Sequence, residues 1–418
     1  MKSLKPLLSM MVYLILFGCT SEEINAVDIM QDVKEKNDPT DNQLNYPILS
    51  DKELIIEYPH DDYSEFQKKE LRQEHGVISY ETCDCSDKQI EKWVFQSGIN
   101  IEEEEEQITA TGIGVENEFY YQNTHTTPDS LHITNTEQSD LLITSNIVPN
   151  YTSITIAILD TGIDLNLLPN TGPFLFRRRP NPPRCMENGE QELSGWDFVN
   201  HDNNPHDDNG HGSIVSGIIK SNLHDQNITD YEILPVKVFN HEGEGSYFNL
   251  LCGYRYAVSK PSVSIINMSF GWYHKNGRLL KKYISQNNDI LHITSAGNDD
   301  NDNDKVRHNP SSYNRQNIAA IGSINATRTE IADFSNYGET SVDFLSLGDM
   351  VKFTDSNGIN HMVSGTSYAA PFVTAKSAIQ YLNAITDPVD ILNQLRINAT
   401  ELSPGVFLPV RCRRKIID

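Results

Sequence analysis

Ser367 is a hydroxyl nucleophile that needs a base. It lies in Ser364-Gly365-Thr366-Ser367-Tyr368-Ala369-Ala370-Pro371-Phe372, where small residues give way to a long run of helix formers. The first amide N–H groups of a helix have no partner inside it and favour developing negative charge, which suits an acyl-transfer centre. A serine hydroxyl stays a poor nucleophile until its proton is taken. His211, in Asn209-Gly210-His211-Gly212-Ser213, stands just ahead of the apolar helical pattern Ile214, Val215, Ile218 and Ile219 and can be that base. Asp160 ends an apolar run that begins at Ile154 and can orient the imidazole. Asn298 closes Ser295-Ala296-Gly297-Asn298 after a further apolar run, Ile290 to Thr294, and can donate to an oxyanion.

Strands and helices have to deliver these groups. The run at 155–159 reads as a buried strand, 265–271 and 290–294 read as further strands, and 214–219 and 247–257 read as helices between them. In open α/β sheets sites form outside the C-terminal ends of the strands, which is where Asp160 and Asn298 fall. Taken singly, Asp-Thr-Gly and Ser-Ala-Gly-Asn are ordinary turn sequences, and His-Gly is an ordinary helix start. It is their order, each at an element boundary, that points to one site.

In that order, residues 150 to 398 resemble a subtilisin-like serine protease (subtilase, peptidase S8 family). The resemblance implies an α/β chain with a three-layer αβα fold and a mostly parallel central sheet. It also implies a serine endopeptidase that cuts polypeptide substrates through an acyl-enzyme, as a monomer, with no cofactor required for the chemistry. Carried over residue by residue, Asp160 orients the imidazole, His211 is general base and then acid, Ser367 is acylated and Asn298 is the oxyanion donor. Ser269, Phe270 and Gly271 correspond to the border of the pocket for the residue before the scissile bond. Gly243 and Gly245 correspond to the opposite edge, where a peptide adds by backbone pairing. Ser213 stands for the family's threonine, Ser216 for alanine, Phe372 for histidine and Ser346-Leu347-Gly348 for Ala-Pro-Gly, and none of these removes a chemical role. The alternative is a non-catalytic envelope protein that binds peptide on the same fold. An aspartic protease would need a second Asp-Thr/Ser-Gly, which the chain lacks.

Trp196 to Asp208 is rich in oxygens and is similar to a calcium loop found in some members of the family. Asp197 and Asp202 are its candidate ligands for a structural calcium, with acidic turn residues that bind no metal as the other reading. A net charge of −25 and a pI near 4.8 argue against a nucleic-acid partner, which would want a basic face. The acidic runs at Glu102 to Glu106 and Asp299 to Asp304 read as solvated surface.

Six segments follow along the chain. Residues 1–18 carry Lys2 and Lys5 ahead of an apolar run and read as a signal peptide. Leu16-Phe17-Gly18-Cys19 resembles a bacterial lipoprotein box, which implies lipidation of Cys19 and anchorage to a membrane of the bacterial cell envelope. If that cysteine is incidental, the chain is secreted. Residues 19–50 read as a polar tether and 51–121 as a small α/β domain similar to the family's propeptide. Residues 122–149 are a linker open to cleavage, 150–400 the catalytic domain and 401–418 a basic tail. Within the catalytic domain, Pro169 to Gln191, with Arg177-Arg178-Arg179, reads as a surface loop. Apart from Cys19, five cysteines remain: Cys83, Cys85, Cys185, Cys252 and Cys412. An oxidising envelope would allow a bridge, but the odd count leaves at least one thiol or an external partner and defines no disulfide framework.

Overall fold

The computed structural model describes residues 47–59, 63–85, 88–122, 154–168, 170–176, 185–187, 189–401 and 415–417. The readings of the signal peptide, Cys19, most of the tether and linker, Arg177-Arg178-Arg179 and Cys412 lie outside the described residues.

The N-terminal domain runs β1 (Ile48–Glu57), α1 (Glu65–Glu74), β2 (Ser79–Thr82), β3 (Ile90–Val94), α2 (Ile101–Thr109) and β4 (Gly114–Gln122). It therefore begins at Ile48, inside the expected tether, and β4 takes the first residue of the expected linker. α1 starts where the Ser64 side chain accepts from the Gln67 amide and the Gln67 side chain accepts from the Ser64 amide, a reciprocal cap. The acidic run at 102–106 lies on the surface, as expected, with none of its five glutamates buried. It forms α2, capped by Asn100, with Glu102, Glu103 and Glu104 in the first turn, where the helix dipole favours negative charge. Ile101 and Ile108 fix its inner face against Leu54, Ile56 and Trp93 of the sheet.

The C-terminal domain opens with β5 (Ile154–Asp160), a short hairpin β6 (Met186–Glu187) and β7 (Glu190–Gln191), and β8 (Trp196–Asp197). Then come α3 (His211–Asp225), β9 (Tyr231–Lys237), β10 (Glu244–Ser246), α4 (Tyr247–Val258), β11 (Val263–Met268), β12 (Trp272–Tyr273) and α5 (Arg278–Gln286). It continues through β13 (Leu291–Ser295), β14 (His308–Asn309), β15 (Ile318–Ile324), β16 (Phe344–Leu347), β17 (Val351–Thr354) and β18 (Asn360–Val363). It closes with α6 (Thr366–Leu382), α7 (Pro388–Asn398), β19 (Thr400–Glu401) and β20 (Lys415–Ile416).

Its main sheet has the order β19-β20-β16-β15-β13-β11-β5-β9-β8, parallel at every step except the edge pair of β19 with β20. Every residue of β5, β9, β11, β13 and β15 is buried, as a sheet covered on both faces requires. Ile156, Ile158 and Ile321 pack toward α3, α6 and α7, while Ala157, Leu159 and Ile266 pack toward α4 and α5. The fold is the expected three-layer αβα arrangement. The C-terminal tail needs correcting, because β20 lies within the sheet and Ile416 and Ile417 are buried.

The two domains share structure. β4 pairs antiparallel with β10, matching Gln122 to Glu244, Tyr121 to Gly245 and Tyr120 to Ser246, so β10 becomes the outer strand of the N-terminal sheet. Two disulfides, Cys83–Cys252 and Cys85–Cys185, run from the turn after β2 to the C-terminal domain. This corrects the expectation of no framework. The partners are 169 and 100 residues apart and meet only because the domains dock.

Candidate active site

Asp160 ends β5 and His211 begins α3, and the His211 Nδ1 lies 2.7 Å from Asp160 Oδ1. The approach is tight enough to dictate sequence. A Cβ on Gly212 would come within 2.4 Å of the Gly162 carbonyl, so the residue after the histidine has to be glycine. Thr161 closes the same corner. Its hydroxyl accepts from the Gly212 amide at 2.8 Å and donates to Asp207 at 2.8 Å.

Asp207 was not visible as a site residue in the sequence. It caps α3, accepting from the Gly210 amide at 2.7 Å, the Ser213 amide at 2.8 Å and the Ser213 hydroxyl at 2.6 Å. Burial pushes its carboxyl up, but the Lys237 charge and the bonds from Ser213 and Gly210 outweigh this and hold it below the usual range. Lys237, also buried, donates to the Thr161 carbonyl at 2.8 Å and pairs with Asp208 at 2.7 Å. Ser213, the departure from threonine, keeps a capping role and also accepts from the Asp164 amide.

Ser367 is the second residue of α6 and is fully buried. Its hydroxyl donates to the Ser269 carbonyl at 2.8 Å, and the Ser269 hydroxyl donates back to the Ser367 carbonyl at 3.0 Å. The reason is local. Residue 371 is proline and has no N–H to give the carbonyl four residues earlier, so Ser269 replaces the missing helix bond. Asn267 donates to Ser269 Oγ and accepts from Thr374, which extends the brace into α6. Ser269 therefore holds Ser367 in place at the start of α6. The Tyr368 ring lies 5.4 Å from the His211 ring and brings the start of α6 against the base.

Asn298 sits beside that start. Its Oδ1 accepts from the Thr366 amide at 2.8 Å and the Thr366 hydroxyl at 2.9 Å, which leaves the NH₂ end of the amide as the donating end. The loop is held from behind by Asn336, another residue missed in the sequence. Asn336 Oδ1 accepts from the Asp299 and Asn301 amides, and its Nδ2 donates to the Ala296 carbonyl at 2.9 Å. Gly297 is obligatory there, since a Cβ would come within 2.2 Å of Asn336 Nδ2.

The expected substrate edge is covered by the chain itself. Tyr121 of β4 lies edge-on to Phe239 at 5.4 Å, with Phe270 at 6.0 Å and Trp272 at 5.0 Å. A Cβ on Gly245 would come within 2.8 Å of the Phe239 ring and 3.1 Å of the Tyr121 ring. Gly243 has φ +78° in the turn before β10, and Gly271 packs against His308 and Asn309. Two glutamates of β4 reach helix N-termini. Glu118 accepts from the Tyr247 and Phe248 amides at the start of α4, at 2.9 and 3.1 Å. Glu116 accepts from the Arg278 and Leu279 amides at the start of α5, at 2.7 and 3.0 Å. Burial pushes Glu118 up to about 8 despite Lys92 and these amides, and it raises Glu116 as well.

Asp197 and Asp202 do meet, across a backbone bridge. Asp197 Oδ1 accepts from the Val199 and Asn200 amides and its Oδ2 from the Asn200 side chain, while Asp202 Oδ1 accepts from the Asn204 amide. These bonds close the turn on its own amides. Among the described residues, no group of three or more His, Cys, Asp or Glu side chains is placed to hold a metal ion.

Residues 152–403 match the model of the subtilase family, peptidase S8. The chain belongs to that family. It is 35% identical over 123 residues to subtilisin-like protease 2 of Plasmodium falciparum, covering 28% of this chain and 9% of that protein. It is 31% identical over 153 residues to an intracellular serine protease of Paenibacillus polymyxa, covering 35% of this chain and 45% of that one. The major intracellular serine protease of Bacillus subtilis (strain 168) is 32% identical over 152 residues, with 35% and 46% covered. The subtilase chain thus spans less than half the length of these curated relatives. The crystal structure of a cold adapted subtilisin-like serine proteinase aligns with a TM-score of 0.48 at 23% identity, over 63% of this chain and 91% of that one.

Proposed function

We propose that this subtilase is a serine endopeptidase made with its own inhibitory N-terminal domain. The observation that carries the reading is the 2.7 Å His211–Asp160 bond beside the helix start that bears Ser367. In this mechanism His211 Nε2 takes the Ser367 proton as Oγ bonds to the substrate carbonyl carbon, and the carbonyl electron pair moves onto oxygen. The Asn298 amide and the N–H groups at the start of α6 stabilise that oxyanion. His211 then protonates the leaving amine as the C–N bond breaks, and water repeats the sequence on the acyl-enzyme. An extended polypeptide substrate pairs with β10, the edge that β4 occupies in this structure, which supports the inhibitory role of the N-terminal domain.

In the same reading the linker after Gln122 is cut by the enzyme, and the chain is exported and held in the bacterial envelope by a lipid on Cys19, acting as a monomer. The two disulfides support an oxidising compartment. Among the described residues no helix is long and apolar enough to cross a membrane. A serine-directed phosphonate tests the chemistry. The expected result is labelling of Ser367 together with peptide hydrolysis, both lost in Ser367→Ala. Hydrolysis that persists in Ser367→Ala would reject the assignment.

A further inference from the structure

Cys83 and Cys85 flank Asp84 in the turn between β2 and β3, and both bridges leave from this turn: one to Cys252 in α4, the other to Cys185 just before β6. Asp84 adds to the contact, accepting from Trp196 Nε1 at 3.3 Å and lying 3.0 Å from His201 Nδ1. Each disulfide therefore spans the whole segment between β4 and β5, so a cut anywhere between Gln122 and Ile154 falls inside both covalent loops.

We propose that such a cut does not free the N-terminal domain. The product is a disulfide-linked two-chain species in which β4 keeps covering the β10 edge until both bridges are reduced by a dithiol. Its functional consequence rests on the peptidase reading above.

Tethering changes the equilibrium of inhibition. A cleaved, untethered inhibitory domain is lost by dilution, whereas a tethered one faces its site at an effective concentration on the order of millimolar. β4 pairing, the aromatic contacts of Phe119 and Tyr121, and the Glu116 and Glu118 helix contacts then act within one covalent unit. One bridge is enough to hold the domain. Release takes two reductions by thiol–disulfide exchange, one at each bridge. In each, a dithiol thiolate attacks one cysteine sulfur and displaces the other as thiolate, and the second thiol of the reagent then closes its own disulfide and expels the first cysteine. Two dithiols are oxidised, two cystines accept four electrons and four protons, and four cysteine thiols result. The two bridges differ in access. Cys83 and Cys252 are 1% and 2% exposed, while Cys85 is only partly buried, so Cys85–Cys185 is reduced first and Cys83–Cys252 sets the release.

The test uses the full chain carrying Ser367→Ala, with a recognition sequence for an unrelated site-specific protease inserted between Gln122 and Ile154. After cutting, free thiols are alkylated, the protein is denatured with or without a dithiol, and intact mass is measured. The expected result is one covalent species without dithiol and two fragments with it, with peptide mapping returning the pairs 83–252 and 85–185. Variants lacking either pair (Cys83→Ser with Cys252→Ser, or Cys85→Ser with Cys185→Ser) are expected to keep the fragments joined. Fragments that separate without dithiol, or other cross-linked pairs, overturn the proposal, and mapping of the parent protein decides it even if a variant fails to fold.

A second arm repeats the cut with Ser367 intact and adds dithiol without denaturant. Peptide hydrolysis is expected to rise at least about tenfold as the covering domain leaves. Separation with no rise overturns the regulatory claim. If the separated chain also fails to take the phosphonate on Ser367, it is the peptidase reading that falls, while the covalent linkage stands on the first arm.

Discussion

The Ser367 site and the surface that receives the N-terminal domain are both buried, but Asp207 beside the first is held below the usual carboxylate range while Glu116 and Glu118 in the second are raised above it. Around Ser367 each functional side chain is tied by neutral donors or by a nearby cation: Ser269 replaces the bond lost at Pro371, Lys237 neutralises Asp207, and Asn336 braces the Asn298 loop. At the docking surface Glu116 and Glu118 are carried into the interface on β4 and meet mainly helix amides, with burial the largest influence on both. Apolar contact surrounds them, with Phe119 stacked on Tyr247 at 4.3 Å and Tyr121 among Phe239, Phe270 and Trp272. The first arrangement is fixed geometry that has to survive turnover. The second, in the regulation proposed here, is an interface whose strength pH and thiols set.

The largest expected effect falls on the fixed side. Asn298→Ala should lower kcat by about a hundred- to a thousandfold with KM little changed, a magnitude taken from the equivalent donor in subtilisin and not from this chain. Steady-state kinetics on a peptide substrate checks it, and a rise in KM at constant kcat would place Asn298 in ground-state binding instead.

On the adjustable side the sign follows from Glu118. Its carboxyl is pushed up to about 8 in the docked state, above the ordinary 4.5, so the docked form holds a proton that the undocked form releases. Docking is therefore strongest below about pH 4.5 and weakens as pH rises through about 8, by at most about 1.4 kcal/mol per pH unit for one group. In full-length Ser367→Ala protein, the denaturant midpoint should fall between pH 5 and 9, and Glu118→Gln should flatten that slope. An equal slope in both proteins would remove Glu118 as the sensing group.

A smaller effect is expected at the Asp197–Asp202 turn, away from both regions. With its carboxylates used on its own amides, a chelator should leave the unfolding midpoint unchanged, and Asp202→Ala should cost about 1 kcal/mol. A chelator-induced drop that disappears in Asp202→Ala would restore calcium to this loop.

The same contrast explains what could be read before the structure. Asp160, His211, Asn298 and Ser367 were legible because each lies in a short motif at the end of a strand or the start of a helix, where backbone crowding dictates neighbours such as Gly212 and Gly297. Asp207 and Asn336 were not, since one carboxylate or amide in a polar loop looks like any other until the elements it ties are in place. The parallel sheet followed from its apolar runs. β20 did not, because it is two residues long and is defined only by its pairing with β16 and β19. The acidic run was legible as surface, but its helix α2 was not, because Ile101 and Ile108 lie seven residues apart with few apolar residues between them to mark the inner face. The disulfides were invisible for the most physical reason: their pairing is a property of how two domains dock, and no spacing of Cys83 or Cys85 encodes it.

The most direct test of the account is the intact mass of the exported protein, wild type beside Ser367→Ala, under reducing conditions. If Ser367 is the nucleophile and β4 is the chain's own occupant of the substrate edge, wild type is cut between Gln122 and Ile154, and the mutant, folded to the same midpoint, remains uncut. Equal masses for the two, with wild type uncut and active, would contradict it.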